Sequence, residues 1–180
     1  MHVNKHDSLF LKKFSMVIGF LVLLTLGLIL FARYLNHLLP HEQTPQAKAK
    51  NEARIAPVVR ALSKAGVRVS LFIEPAEDQV EAAKAVGAQV VEFHTGRYCH
   101  LSGGEREIEF ERLAAAAAQA DILGLEVHAG HGLDYDTAPR MLAIPEVREL
   151  NIGHFLIGES IFVGLDAAIR RMRAAMDAAA

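Results

Sequence analysis

Hydrophobic and polar positions along this chain fall into two regimes. Residues 1–13 are polar, and an uncharged apolar run follows from Phe14 to Ala32, FSMVIGFLVLLTLGLILFA. Pro40 to Lys50, PHEQTPQAKAK, is polar with two prolines and reads as a linker. From Glu52 the pattern becomes regular, with short apolar runs alternating with amphipathic or alanine-rich stretches that end at glycine. A helix is expected over 55–64, stopped by Gly66, then a strand over 67–73. A helix over 78–86 ends at Gly87, and a second strand spans 89–93. The loop HTGRYCHLSGG (94–104) leads into a long helix over 105–123 and a third strand over 125–129. Short helical turns over 137–142 and 145–150, a fourth strand over 151–158 (NIGHFLIG) and a closing helix over 161–178 complete the chain. The expected organisation is an N-terminal segment 1–39, a linker 40–51 and a folded domain 52–180.

Strands that alternate with helices imply βα units and a parallel sheet. The strands are continuous apolar runs rather than alternating ones, as in a sheet whose strands are covered by helices. The fold class is therefore α/β with four βα units. Half of an eight-fold (β/α)8 TIM barrel and a small open sheet both satisfy this count. Polar residues gathered at the carboxyl ends of strands favour the half-barrel.

Composition sharpens the N-terminal reading. The chain has 180 residues, and its hydrophobic fraction of 52% is concentrated in the 14–32 run and in the alanine-rich helices. A helix of that run spans roughly 28 Å, close to the thickness of a bilayer core. A soluble core helix carries a polar residue every turn, whereas this run has only Ser15 and Thr25. A cleaved signal peptide has a shorter apolar region, so a single-pass transmembrane helix contacting the lipid bilayer is expected over about 14–32. Lys5, Lys12 and Lys13 before the run balance Arg33, Lys48, Lys50 and Arg54 after it, so charge does not orient it. A formal net charge of -2 gives no basic field for nucleic acid. The single cysteine, Cys99, excludes an internal disulfide and any CxxC motif.

Three strand ends carry candidate chemistry. In LEVHAGHGL (125–133) a strand opens into Gly130-His131-Gly132, which sets an imidazole on a nearly bare backbone. Histidine titrates near neutrality and suits proton transfer, and flanking glycines allow close approach of a ligand. The competing reading is an ordinary turn histidine. Glu92, inside the apolar strand VVEFHTG, is costly to bury unless paired or functional; it is either a catalytic carboxylate or half of a salt bridge. Gly153 and His154 sit where backbone N–H groups before a helix can hold a phosphate, although His154 also suits a satisfied core position. His94, Cys99, His100, His128 and His131 supply metal-ligand atoms, but no HExxH or HxxEH pattern arranges them, so no metal is expected.

Two resemblances attach to these motifs. The segments HDSLFLKKFSMVIGFLVLLTLGLILFARYLN and KNEARIAPV resemble the membrane anchor of c-type cytochromes over residues 1–57. No CxxCH is present, so no haem is expected. VSLFIEP, VVEFHTGRY, LEVHAGHGLDYD and IPEVRELNIGHFLIGESIFVGL are similar to the C-terminal half of pyridoxine 5′-phosphate synthase, over about 58–175. That resemblance implies a TIM-barrel transferase of vitamin B6 biosynthesis. The family condenses 1-deoxy-D-xylulose 5-phosphate with 3-amino-2-oxopropyl phosphate, without metal or organic cofactor, and forms homo-oligomers. It also implies roles: His131 as proton donor, Glu92 as the carboxylate that stabilises transition-state charge, Gly132 as a substrate contact, and Gly153 and His154 as the phosphate segment. The family's Asn-x-Asp-His and His-x-Arg-x-Asp-x-x-His segments and its second catalytic glutamate have no counterpart in the chain. The expectation is a membrane-tethered half-barrel, inactive alone and completed by a complementary half-barrel or a second copy. The alternative is a non-catalytic, membrane-anchored phosphate-binding or interaction protein. Four strands of an eight-strand barrel leave two edges and an apolar concave face exposed. The family works in the cytoplasm, whereas a cytochrome-like anchor exports the domain attached to it.

Overall fold

The computed structural model describes residues 45–179. The chain divides into two units, Met1–Lys48 and Ala49–Ala180, and the sheet lies in the second. The expected membrane span over 14–32 lies outside the described residues. Among the described residues, no helix is long and apolar enough to cross a membrane.

Helix α1 (Pro45–Lys64) precedes β1 (Ser70–Ile73), α2 (Glu77–Ala85), β2 (Val90–His94), α3 (Gly96–His100) and α4 (Gly103–Ile122). Next come β3 (Glu126–Gly130), α5 (Ala138–Met141), β4 (Val147–Asn151), α6 (His154–Val163) and α7 (Leu165–Asp177). The four strands form one parallel sheet in the order β1-β2-β3-β4. Helix α1 starts inside the expected linker, because the alanine–lysine run after Pro45 favours a helix and proline is tolerated in its first turn. Glycines end the helices as the pattern requires: Gly66, Gly87 and Gly124 all adopt positive φ.

Side chains alternate across the sheet. Leu71, Ile73, Val91, Phe93, Val127, Val147 and Leu150 meet a core built from α2, α4, α5 and α7, with Leu113, Ala117, Ala120 and Met141 at its centre. The opposite, concave face carries the register row Phe72, Glu92, His128 and Glu149. The concave face was expected to be apolar; it is mostly polar, because only one of those four is a hydrophobe. A smaller cluster seats α1 on the sheet through Val59, Val69 and Val86.

The fourth strand is the main departure from the expected elements. It runs from Val147 to Asn151, not over 151–158, and residues 154–163 are helical. The charges in VRELN hid the strand. An irregularity in the β3–β4 register places Val147 opposite Val127 but Glu149 opposite His128. Arg148 is thus the extra, exposed residue of a bulge, and Val147 and Leu150 both reach the core. The apolar run after Asn151 instead starts α6. Gly164, with φ +84°, separates α6 from α7 where one closing helix was expected. Ile157, Ile161, Phe162, Leu165 and Ile169 on these two helices are exposed.

The two faces of the sheet make different demands. Phe93 is 1% exposed and Phe72 is 56% exposed. Phe93→Ala is expected to lower unfolding free energy by about 3–5 kcal/mol in urea denaturation. Phe72→Ala is expected to cost less than about 1 kcal/mol. A reversed order would mean that the helices cover the other face.

Candidate active site

The carboxyl ends of the strands hold an open cleft of about 310 Å³. Phe72 lines it from β1, Glu92 from β2, and His131, Gly132 and Leu133 from the turn after β3. Asn151 closes β4, and Ile152, Gly153, His154 and Phe155 bring the start of α6 to the same cleft. All five residues singled out from the sequence therefore share one cavity. Gly153 and His154 reach it differently from expectation: Gly153 caps α6 and His154 is its first residue, so neither lies in a strand.

His131 is exposed and is the one non-glycine residue with positive φ (+79°) among the described residues. An L-residue in this left-handed region is strained, so the surroundings must hold it there. Thr95, fully buried just after β2, does so. Its N–H donates to the Gly130 carbonyl at 2.8 Å. Its hydroxyl lies 2.7 Å from the carbonyls of both Gly130 and His131, and its single hydrogen is shared between them. Gly132 follows with φ +82°, a conformation that glycine adopts without penalty.

Glu92 is half-buried, and its Oε2 accepts a hydrogen bond from the Asn151 side-chain amide at 2.8 Å. The salt bridge considered for it from sequence does not form among the described residues; the neutral Asn151 amide holds the carboxyl group instead. A Cβ on Gly130 would collide with Glu92 Oε1 and approach the Asn151 backbone carbonyl to 3.0 Å. The start of α6 offers backbone N–H groups and the positive end of a helix dipole, which suits a phosphate. A Cβ on Gly153 would meet nothing within 4 Å. Phe155 anchors this turn edge-on against Tyr135, with ring centroids 4.7 Å apart, and the Arg171 guanidinium stacks on the Tyr135 ring at 4.2 Å.

The other candidate ligands do not assemble. Among the described residues, no three His, Cys, Asp or Glu side chains are placed to hold a metal ion. His128 faces Glu126 at 2.8 Å and Glu149 at 3.5 Å lower on the concave face. Burial pushes the Cys99 thiol up, which disfavours the nucleophilic thiolate. Sequence reasoning missed Thr95, Asn151 and Phe72. A threonine directly after a strand and next to glycine was the available signal for Thr95, whereas Asn151 was hidden by the misplaced fourth strand.

The turn that carries His131 is closed at its far end by Asp134. Its Oδ1 accepts from the Thr137 hydroxyl at 2.6 Å, the Thr137 N–H at 2.8 Å and the Asp136 N–H at 3.1 Å. Burial raises the Asp134 pKa, but the Thr137 and Asp136 hydrogen bonds outweigh it and hold the carboxyl below its ordinary range.

The fold and cleft define a parallel α/β protein with a histidine, a carboxylate and a helix N-terminus gathered at the carboxyl ends of its strands. The family model described as "Pyridoxal phosphate biosynthesis protein PdxJ" matches residues 45–178, and the chain belongs to that family. It is 62% identical to the pyridoxine 5′-phosphate synthase of Rhodospirillum rubrum over 126 residues, 69% of this chain and 51% of that protein. The synthase of Caulobacter vibrioides is 58% identical over 134 residues, 72% of this chain and 53% of that protein. That of Zymomonas mobilis is 54% identical over 125 residues, 69% of this chain and 49% of that protein. The chain thus spans about half the length of the curated relatives it matches. The match also takes in KNEARIAPV (50–58), which corrects the cytochrome-like reading of that segment: it belongs to α1 of the synthase-like fold.

A depressed folded-state pKa means that Asp134 stabilises the fold fully above the unfolded value of about 3.9, and that this contribution is lost as pH falls through the folded value. Thermal melts of the chain should therefore show a steeper loss of stability below about pH 4 than melts of Asp134→Asn. Above about pH 5 the variant is expected to be less stable by about 1–2 kcal/mol. Parallel pH profiles would overturn this assignment.

Proposed function

We propose that this chain carries one half of the active site of a pyridoxine 5′-phosphate synthase. In this reading 1-deoxy-D-xylulose 5-phosphate and 3-amino-2-oxopropyl phosphate condense to pyridoxine 5′-phosphate, phosphate and water. The carrying observation is that Glu92, His131, Gly132, Gly153 and His154 line one cleft in a chain of this family. The His131 imidazole is exposed at the mouth and donates a proton to a departing hydroxyl, which leaves as water. The Glu92 carboxylate, oriented by Asn151, stabilises positive charge on the nitrogen-bearing intermediate. The first turn of α6 receives the phosphate of the amino ketone, and the absent side chain of Gly153 gives it room. Gly132 presents bare backbone to the substrate.

The assembly reading follows from the sheet. Among the described residues β1 and β4 each have one unpaired edge, and exposed hydrophobes flank both: Val58 and Leu62 on α1, and Ile161 and Phe162 on α6. Residues 52–180 are read as a half-barrel of four βα units that closes against a complementary half-barrel or a second copy. The mass of the chain in solution tests this: a dimer or larger species is expected, and a stable, well-folded monomer would sink it.

For the chemistry, the chain is combined with the portion of the Rhodospirillum rubrum relative that lies outside the match, and pyridoxine 5′-phosphate is assayed. Product is expected, and His131→Asn is expected to lower the rate by roughly 10²–10⁴-fold. Gly153→Ala has room in the fold, so it should raise the KM for the amino-ketone phosphate more than it lowers kcat. Phosphate binding without product in a well-folded mixture would overturn the synthase reading and favour a protein that only binds phosphate.

A further inference from the structure

Beside His131 lies a group of side chains that the proposed chemistry leaves unused. The His94 ring sits 4.9 Å from the His131 ring, centroid to centroid, at an interplanar angle of 55°. Phe72 meets His94 edge-on at 5.3 Å. On its far side His94 Nδ1 lies 2.7 Å from Glu74 Oε1, and Glu74 Oε2 lies 3.4 Å from Arg112 Nη2. Arg112 is itself fixed: Nε lies 3.1 Å from each carboxylate oxygen of Glu109, Nη2 lies 2.5 Å from Glu109 Oε1, and Nη1 donates to the Pro75 carbonyl at 3.0 Å. Glu109 is 3% exposed, and Arg97 approaches it from the other side at 3.3 Å. A contact chain therefore runs from the buried Glu109 and its partner Arg112 on α4, through Glu74 and His94, to the ring of His131.

We propose that Glu74 and His94 are positioning residues that fix the orientation of the His131 imidazole. Thr95 fixes the backbone of His131 but leaves its side-chain torsions free, so the ring needs lateral support. The Glu74 carboxylate accepts the Nδ1–H of His94 and selects that tautomer, which leaves Nε2 as the unprotonated nitrogen of the neutral ring. A Cβ at Gly96 would stand 2.7 Å from this Nε2 and 3.0 Å from His131 Cδ2, so glycine at that position makes the room in which both rings lie. The length of the glutamate side chain matters in this arrangement more than the energy of a half-exposed pair, which is small. The inference rests on the reading of His131 as the acid of the cleft, but its test requires no turnover.

The test records long-range proton–nitrogen spectra of the histidine side chains in the isotopically labelled chain, above the ordinary titration range of histidine. Glu74→Ala, Glu74→Gln, His94→Phe and the exposed control Glu107→Gln are compared with the parent. Glu74→Ala is expected to move the His94 proton off Nδ1 in part of the population and to shift the His131 ring signals with it. His94→Phe should shift the His131 ring signals as well. Glu74→Gln keeps an acceptor oxygen and is expected to restore the parent pattern, and Glu107→Gln should leave it unchanged. Glu74 is exposed, so Glu74→Ala reports even if His94→Phe fails to fold. His131 signals that stay in place in Glu74→Ala would overturn the proposal while leaving the synthase reading intact. Absence of product in the reconstituted assay would damage that reading without moving these signals.

Discussion

The tie between Thr95 and the Gly130–His131 carbonyls holds the site together. Parallel pairing of β2 with β3 places Phe93 opposite Ala129 and His94 opposite Gly130, so the next residue, Thr95, arrives beneath the end of β3. Its N–H continues the ladder by one bond, and its hydroxyl supplies the donor that the turning carbonyls need inside a dry environment. Without this hydroxyl the Gly130 carbonyl would keep the Thr95 N–H, but the His131 carbonyl would lose its oxygen donor, which loosens the hold on the left-handed conformation of His131. The same register brings Glu92 beside His128 and points both toward the concave side. One threonine thus connects the packing of the sheet to the orientation of the cleft.

The polar concave face and the apolar convex face follow from the same alternation. Period two along each strand sends Val91, Phe93 and Val127 into the helices and Glu92, Glu126 and His128 the other way. Charged groups on that side are tolerated because they remain partly hydrated and find partners: Glu126 joins Arg68 and His128, and the hydrogen bonds from His128 and Arg68 keep its carboxyl below the ordinary range. On the helix side a charge needs a complete set of partners. Glu109 has one, held between Arg112 and Arg97. A pair with one buried partner adds little net stability over a packed hydrophobe but fixes geometry, and here Arg112 ties α4 to Glu74 and Pro75 just after β1.

Much of the fold was legible because local rules agreed with one another. Apolar runs such as VVEF, glycine stops at 66, 87 and 124, and the alanine-rich helix each pointed to the element that formed. Glu92 and His131 were legible for the opposite reason: each breaks the pattern of its strand or turn. The fourth strand was not legible, since a bulge cancels the period-two signal and its charges face solvent or the concave side. That error carried Gly153 and His154 into a strand when they begin a helix, although their nearness to the cleft was anticipated. Thr95, Asn151 and Glu74 depend on partners 20 to 59 residues away, which local sequence does not encode.

The glycines around His131 answer to separate constraints. Gly132 is needed for its backbone angle, because φ +82° strains any residue with a side chain. Gly130 is needed for space: its Cβ would strike the Glu92 carboxylate and crowd Asn151. Gly96, on the neighbouring segment, is also needed for space, since its Cβ would press on both imidazoles. The short sequence HAGHG is therefore under three-dimensional control from β2, β4 and α3 at once. The carboxylate and the amide that orients it have room because Gly130 carries no side chain, and the two imidazoles have room because Gly96 carries none. Adding a methyl group at position 130 would press on Glu92 and Asn151, whereas adding one at 96 would press on His94 and His131.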